Sequence, residues 1–206
     1  MEIDSLRSDV MTRETASRFC HTCGVYDECI YLGTRAGFRT ADLTEIGIAA
    51  LLHDIAKDLP ADEQILLCGE AGTEYTELPT LHQDIGGYYA EKLYGTQTVT
   101  PRVRRAIECH TTGRDDMTVF DMVLFVADFT EAGRKYDTCK EMREYLHAEC
   151  GKISATDTKA VEKLITSVTL KILSETIAHL TDKGAVIDLR TVSAYNSLTA
   201  RENKER

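Results

Sequence analysis

Ile46-Gly47-Ile48-Ala49-Ala50-Leu51-Leu52-His53-Asp54-Ile55-Ala56-Lys57 is the stretch whose reading decides the fold. It is an apolar run with helical character that ends in an imidazole and a carboxylate side by side, with a lysine one turn later. Burying those two groups in such a run is costly unless something satisfies them. A bound cation is the simplest partner. Lys57 follows His53 by four residues and Asp54 by three, so on a helix it shares their face. An ammonium there would hold an anion, phosphate above all, close to a metal. Taken alone, the stretch also fits a satisfied core histidine at a helix end.

The chain has 206 residues, enough for one domain with a full core. Its net charge of −10 argues against a general nucleic-acid or anionic-membrane binder, which would present a basic surface. A small anionic substrate stays open, because a metal and a few cations override the global field locally. Met1 to Val10 is charged without an apolar centre, unlike a signal peptide. No apolar run approaches the ~18 residues that span a bilayer, so a cytoplasmic protein is expected. The seven cysteines are an odd number, scattered along the chain, and read as reduced thiols. Cys20-His21-Thr22-Cys23 carries a Cys-x-x-Cys spacing, yet no second cysteine pair follows to close a zinc site.

The pattern is helical nearly throughout. A first long helix is expected from about Arg13 to Ala36, closed by Gly37. Thr40 can cap the helix that carries His53 and Asp54, and Pro60 ends it. Further helices are expected at about Ala61 to Cys68, stopped by Gly69, and at Leu81 to Tyr94. The second contains Gly86-Gly87, where missing side chains allow a close helix crossing or a nearby ligand. Thr100-Pro101 starts a helix that reaches His110 and stops at Gly113. Thr118-x-x-Asp121 reads as a capping box ahead of Val119 to Asp128, the most apolar helix. Helices at about Thr138 to His147 and Asp157 to Asp182 follow, the latter with a core stripe at helical spacing. A short helix over about Thr191 to Leu198 precedes a frayed polar tail. Val186 to Leu189 is the one stretch that reads as extended. No repeat, low-complexity segment or linker interrupts the chain, so it reads as one all-α domain.

Four more residues share the character of His53 and Asp54. His21 sits among apolar neighbours in the first helix, His82 opens its helix and His110 closes one. Asp128 ends the most apolar helix, where a lone carboxylate would be expensive. Four imidazoles and two carboxylates are about what two metal ions need, with positions left for water and substrate. The set suits iron, manganese, cobalt or zinc better than magnesium or calcium, which prefer oxygen throughout. Adjacent ligands at 53 and 54 would let Asp54 bridge two ions, which roughly 3.5–4 Å apart clamp both oxygens of a phosphoryl displacement. His147 and His179 lie in polar, surface-like contexts.

The order His21 … His53-Asp54 … Asp128 resembles the HD superfamily of metal-dependent phosphohydrolases, and His82 with His110 resembles its dinuclear subset. Arg18-x-x-His21-Thr22, His53-Asp54-x-Ala56-Lys57, His110-Thr111-Thr112-Gly113, Ala127-Asp128-x-x-Glu131-x-x-Arg134 and Thr191-x-x-Ala194-Tyr195-Asn196-x-Leu198 are similar to the bacterial YqeK family of symmetrical diadenosine tetraphosphate hydrolases. The likeness covers about residues 13–198 of one HD-type helical bundle spanning 1–206. It implies that His21, His53, Asp54 and Asp128 bind one ion and that Asp54, His82 and His110 bind a second, typically both iron. It further implies cleavage of diadenosine tetraphosphate at its middle anhydride into two ADP by a metal-activated water. Asp54 and Lys57 would then act in catalysis, with Lys57 and Arg134 as cationic partners of the phosphates. Thr111, Thr112 and Gly113 would either contact phosphate or ribose or form only a helix-ending turn. Glu131 would orient a ligand from behind. Ala132, where the family usually has proline, and Gly86-Gly87 depart from the family pattern.

Three other readings remain open from sequence. One is another HD nucleotide phosphohydrolase, such as a mononucleotide nucleotidase. Another is an oxygenase using the same iron pair, and the third a non-catalytic nucleotide sensor. The partner expected in every case is a small molecule, with no nucleic acid and no membrane. The apolar helices would also support a homodimer through a face that the sequence does not identify.

Overall fold

The computed structural model describes residues 2–205, and among them ten α-helices and no strand form the regular structure. They are α1 (Ile3–Arg13), α2 (Ala16–Arg35), α3 (Thr40–Leu52), α4 (Ala61–Ala71), α5 (Leu81–Tyr94), α6 (Pro101–Ile107), α7 (Val119–Thr130), α8 (Asp137–Lys152), α9 (Thr158–Asp182) and α10 (Leu189–Glu205). The all-α expectation holds. No described helix is long and apolar enough to cross a membrane.

Two helices of unusual apolarity set the centre. Every residue from Ile46 to Leu52 of α3 and from Phe120 to Ala127 of α7 is buried. Elements buried on all sides read as continuous hydrophobic runs, not as stripes. Helix α2 packs against both, α6 against α3, α5 against α6, and α9 against α7, with α10 laid over α9. Local signals start the helices where expected. Thr118 accepts from the Asp121 amide at 3.3 Å while Asp121 Oδ2 accepts from the Thr118 amide at 2.8 Å. Thr100 caps Pro101–Ile107 in the same way, accepting from Val103 N at 3.3 Å. The Gly86-Gly87 pair serves a helix crossing: a Cβ on Gly87 would lie 2.8 Å from Glu108 Cγ, so α5 could not approach the chain after α6 with a side chain there.

Several boundaries differ from the sequence reading. The helix expected from about Arg13 to Ala36 is α2, which starts three residues later because Glu14 is extended and Thr15 caps the start by accepting from Arg18 N. Residues 3–13 are helical as well, with Leu6 and Val10 buried in the core. The helix expected to begin under a Thr40 cap is capped instead at Arg39, whose amide donates to Asp42 at 3.2 Å. It stops at Leu52, so His53 and Asp54 lie in the tight turns that follow and not within the helix. Helix α4 runs past Gly69 to Ala71, since the left-handed residue that ends it is Gly72. Helix α6 ends at Ile107, three residues short of His110. Helix α8 continues past His147 to Lys152 because Leu146 and Cys150 are buried and Arg35 donates to the carbonyls of Cys150 (2.7 Å) and Ile153 (2.8 Å). The stretch 186–188 forms no strand, and α10 begins at Leu189. The tail expected to fray from residue 199 is helical to Glu205: Arg201 donates twice to Met117 O at 3.0 Å, fastening it to the turn before α7.

Leu51, near the C-terminal end of α3, is fully buried in the core. Leu51→Ala is expected to cost about 2–5 kcal/mol, the usual cost of removing a buried leucine side chain. A denaturant titration reads this directly, and a loss under 1 kcal/mol would mean that α3 is not the centre of the core.

Candidate metal centre

Five segments bring the six predicted ligands to one place. His21 comes from the middle of α2, His53 and Asp54 from the turn after α3, His82 from the first turn of α5, His110 from the turns after α6, and Asp128 from the end of α7. His21 Nε2 lies 3.3 Å from His53 Nε2, and His82 Nε2 lies 3.1 Å from His110 Nε2. Asp54 stands between these pairs. Its Oδ1 is 3.2 Å from His82 Nε2 and 3.5 Å from His110 Nε2, whereas its Oδ2 is 3.5 Å from His53 Nε2 and 3.8 Å from His21 Nε2. Asp128 Oδ1 adds a carboxylate on the first side, 3.0 Å from His21 Nε2.

The far nitrogens fix the protonation of the rings. His53 Nδ1 lies 2.7 Å from Ala50 O, His82 Nδ1 2.7 Å from Pro79 O, and His110 Nδ1 2.7 Å from Ile107 O. A carbonyl only accepts, so each Nδ1 must carry a hydrogen, and each ring, when neutral, turns an Nε2 lone pair inward. His21 Nδ1 faces Glu131 Oε1 at 3.1 Å to the same effect. The result is a nest of lone pairs and two carboxylates, which is self-repelling unless positive charge sits among them. His53, Asp54 and His110 form one group with donor atoms spaced for an ion, and His21, His53 and Asp128 another. His82 extends the first through its contacts with Asp54 and His110.

The protein's own charges report the same demand. Burial pushes the His21 imidazolium down, yet Asp128 and Glu131 outweigh it and raise the group to about 9, so without an ion its Nε2 carries a proton that supplies part of the missing positive charge. Burial pushes the Asp54 carboxyl up, yet the imidazoles facing it hold it well below the usual carboxylate range. Asp128 is likewise held down against burial, by His21 and Arg134. Three cations rim the open side. Arg18 Nη1 donates to Asp54 Oδ2 at 2.7 Å, and Lys57 Nζ to Asp54 Oδ1 at 3.2 Å. Arg134 folds back on Asp128, with Nε on its carbonyl at 2.7 Å and Nη2 on its carboxylate. All three remain between 24% and 32% exposed, while the Asp54 side chain is fully buried, so the cations lie nearer the surface than the carboxylate between them.

The other predicted residues separate. Glu131 is buried and bridges His21 Nδ1 and the Gly133 amide. Gly24 makes room for it, because a Cβ there would run into Glu131 Oε2. Of the turn after His110, Thr111 is half-buried, with its Oγ1 3.2 Å from His82 Nε2. Thr112 is buried and its hydroxyl donates to Gly113 O at 2.9 Å. Gly113 is buried too, at φ +68°, with Ala194 of α10 packed on its Cα. The helix-ending-turn reading thus fits Thr112 and Gly113, and only Thr111 has a hydroxyl facing the centre.

Sequence reasoning left out three residues. Arg18 was legible only as part of a motif. Gly24 has no local signal. Gln83 is fully buried beside His82 and bonds to the turn after His110, a relation between residues 29 apart. The seven cysteines are free thiols, so Cys20 and Cys23 form no disulfide.

A family model described as "HD domain" matches residues 18–133. The chain is 31% identical to the symmetrical bis(5'-nucleosyl)-tetraphosphatase of Bacillus subtilis (strain 168), covering 90% of this chain and 91% of that protein. It is 29% identical to the protein of the same name from Halalkalibacterium halodurans, over 89% of this chain and 90% of the other. A crystal structure from Clostridium acetobutylicum, described as an HD superfamily hydrolase involved in NAD metabolism, superposes with a TM-score of 0.77 at 27% identity, covering 98% of both chains.

If the converging donors are a cation site, divalent transition metal should raise the melting temperature. Binding confined to the folded state contributes about 2.7 kcal/mol at a hundred times Kd. Unchanged melting with added Fe²⁺, Mn²⁺ or Zn²⁺ would break the link between this cluster and a metal.

Proposed function

This chain belongs to the HD-domain family, among its symmetrical bis(5'-nucleosyl)-tetraphosphatases, and from that premise we propose that it hydrolyses diadenosine tetraphosphate at the middle anhydride to two molecules of ADP. The observation that carries the proposal is the placement of Asp54, whose two oxygens face different histidine pairs. A carboxylate held in that way fits a bridge between two ions. On this reading His21, His53, Asp54 and Asp128 hold one ion, and Asp54, His82 and His110 hold the other. Four neutral imidazoles and two carboxylates suit a transition metal, and iron is the ion proposed, with Mn, Co or Zn able to replace it. When bound, such a pair supplies an activated water and offsets charge on the attacking and leaving oxygens.

The chain itself binds and orients. Lys57, Arg18 and Arg134 stand where a polyphosphate enters, and each already neutralises a carboxylate of the cluster. Positive charge arriving at Asp54 and Asp128 would release those cations toward phosphate oxygens, so the rim and the floor exchange partners. Arg18 and Arg134 offer planar guanidinium donors and Lys57 a point charge. Thr111 can add a hydroxyl on the His82 side. Glu131 keeps His21 in the tautomer that presents Nε2, and its loss would loosen a ligand without removing one. The seven free thiols support a reducing, cytoplasmic setting.

Product analysis tests the reading. Protein prepared with and without oxygen would receive diadenosine tetraphosphate, and the products would be separated by chromatography with iron assayed on the same samples. ADP as sole product, in proportion to iron, is expected. ATP plus AMP would place the cleavage at the wrong bond, and turnover of mononucleotides alone would favour a nucleotidase.

Two variants divide the roles. Asp54→Ala should abolish turnover and strip metal while leaving helicity intact. Lys57→Ala should raise KM or lower kcat by roughly 10-fold or more, in line with loss of a phosphate-positioning charge, with metal content retained. Loss of bound metal in Lys57→Ala would reassign that lysine to the metal floor.

A further inference from the structure

Gln83 is the residue after His82, and it is fully buried. Its side chain makes three hydrogen bonds with the turn that carries His110. Oε1 accepts from Thr111 N at 3.0 Å and from Thr112 N at 3.1 Å, and Nε2 donates to Thr112 Oγ1 at 2.8 Å. An amide is suited to this: one oxygen with two lone pairs takes both backbone donors while the nitrogen reaches the hydroxyl. His82 and His110 therefore stand on segments tied together by the neighbour of each. Their Nε2 atoms are 3.1 Å apart, and both face Asp54 Oδ1. The His21 and Asp128 segments are tied separately, through Glu131 three residues after Asp128, which bonds His21 Nδ1.

We propose that Gln83 is a positioning residue that sets the separation of His82 and His110, and so governs the affinity of the second ion without affecting the first. The proposal rests on the two-ion reading of the centre. Two physical points give it weight. Helix α6 stops at Ile107; the amides of Glu108, Cys109 and His110 still bond back to Arg104, Ala106 and Ile107, but those of Thr111 and Thr112 bond to the Gln83 side chain. A ligand free to swing by an ångström gives up much of the advantage of a preformed site, and loss of such outer partners typically weakens metal binding about 10–100-fold.

The test is metal binding itself, independent of turnover. Metal-free parent, Gln83→Met and Gln83→Glu would each be titrated with Mn²⁺, with stoichiometry from elemental analysis after gel filtration and both dissociation constants from calorimetry. Methionine keeps the bulk and removes all three hydrogen bonds, whereas glutamate keeps the acceptor for the Thr111 and Thr112 amides. The expected result is two ions in the parent. In Gln83→Met the first constant should stay within about threefold of the parent and the second should weaken about 10–100-fold. Gln83→Glu should retain both ions, and its melting temperature guards against general unfolding as the cause. Two ions with unchanged constants in Gln83→Met would overturn the role of Gln83. Equal weakening of both ions would also overturn it, because that is the mark of a merely structural residue. A parent that takes one ion would overturn the two-ion reading and the proposal with it, which separates that failure from the other two.

Discussion

A fully buried carboxylate, Asp54, is the constraint from which the rest of the centre follows. The apolar run ahead of it is buried from Ile46 to Leu52, so folding carries the carboxylate inward whatever its solvation costs. The surroundings must then return charge to it. Four imidazoles, Arg18 and Lys57 do so, and each arrives from a different distance along the chain. An ion bound here would complete the same set of contacts, so its binding would stabilise this region.

Three of the four histidines, His53, His82 and His110, sit beside helix ends for a physical reason. The last carbonyls of a helix have no partner within it. Ala50 and Ile107 lie at such ends, of α3 and α6, and each takes the Nδ1 hydrogen of the histidine three residues on. His82 uses the same three-residue step to Pro79, just before α5. One bond thus satisfies a stray carbonyl, selects a tautomer and aims a lone pair. Residues placed in mid-helix could not do all three, which accounts for His53 and His110 lying beyond their helices and not inside them.

The chain as a whole is acidic, yet its one cluster of inward-facing donors is rimmed by Arg18, Lys57 and Arg134. Local geometry outweighs net charge here because the separations are a few ångströms and the groups are partly shielded from water. On the proposed reading, a polyphosphate would meet these cations before the buried donors behind them.

Much of this was legible from residue order. The continuous apolarity of Ile46–Leu52 and Val119–Ala127, the caps at Thr100 and Thr118, and the isolated histidines and aspartates at apolar positions come from local physics, and they point to an all-α chain with a metal centre. Helix ends at Arg13, Ala71 and Glu205 were not legible, because they depend on what packs there: Leu6 and Val10 against the core, and Arg201 against Met117. Nor were the roles of Gln83, Gly24 and Arg18. Gln83 acts on a turn 29 residues away, and Gly24 matters only because Glu131 crosses over it. Thr112 and Gly113 share a motif with Thr111 but lie inside the wall, a distinction made by α10 packing on Gly113. The sequence by itself determined which chemical groups are present and that they could not be buried alone. Only the tertiary structure decided which nitrogen of each ring faces inward, which oxygen of Asp54 serves which pair, and which side chains hold the ligands apart, because hydrogen-bond direction and separation exist only once distant segments are packed together.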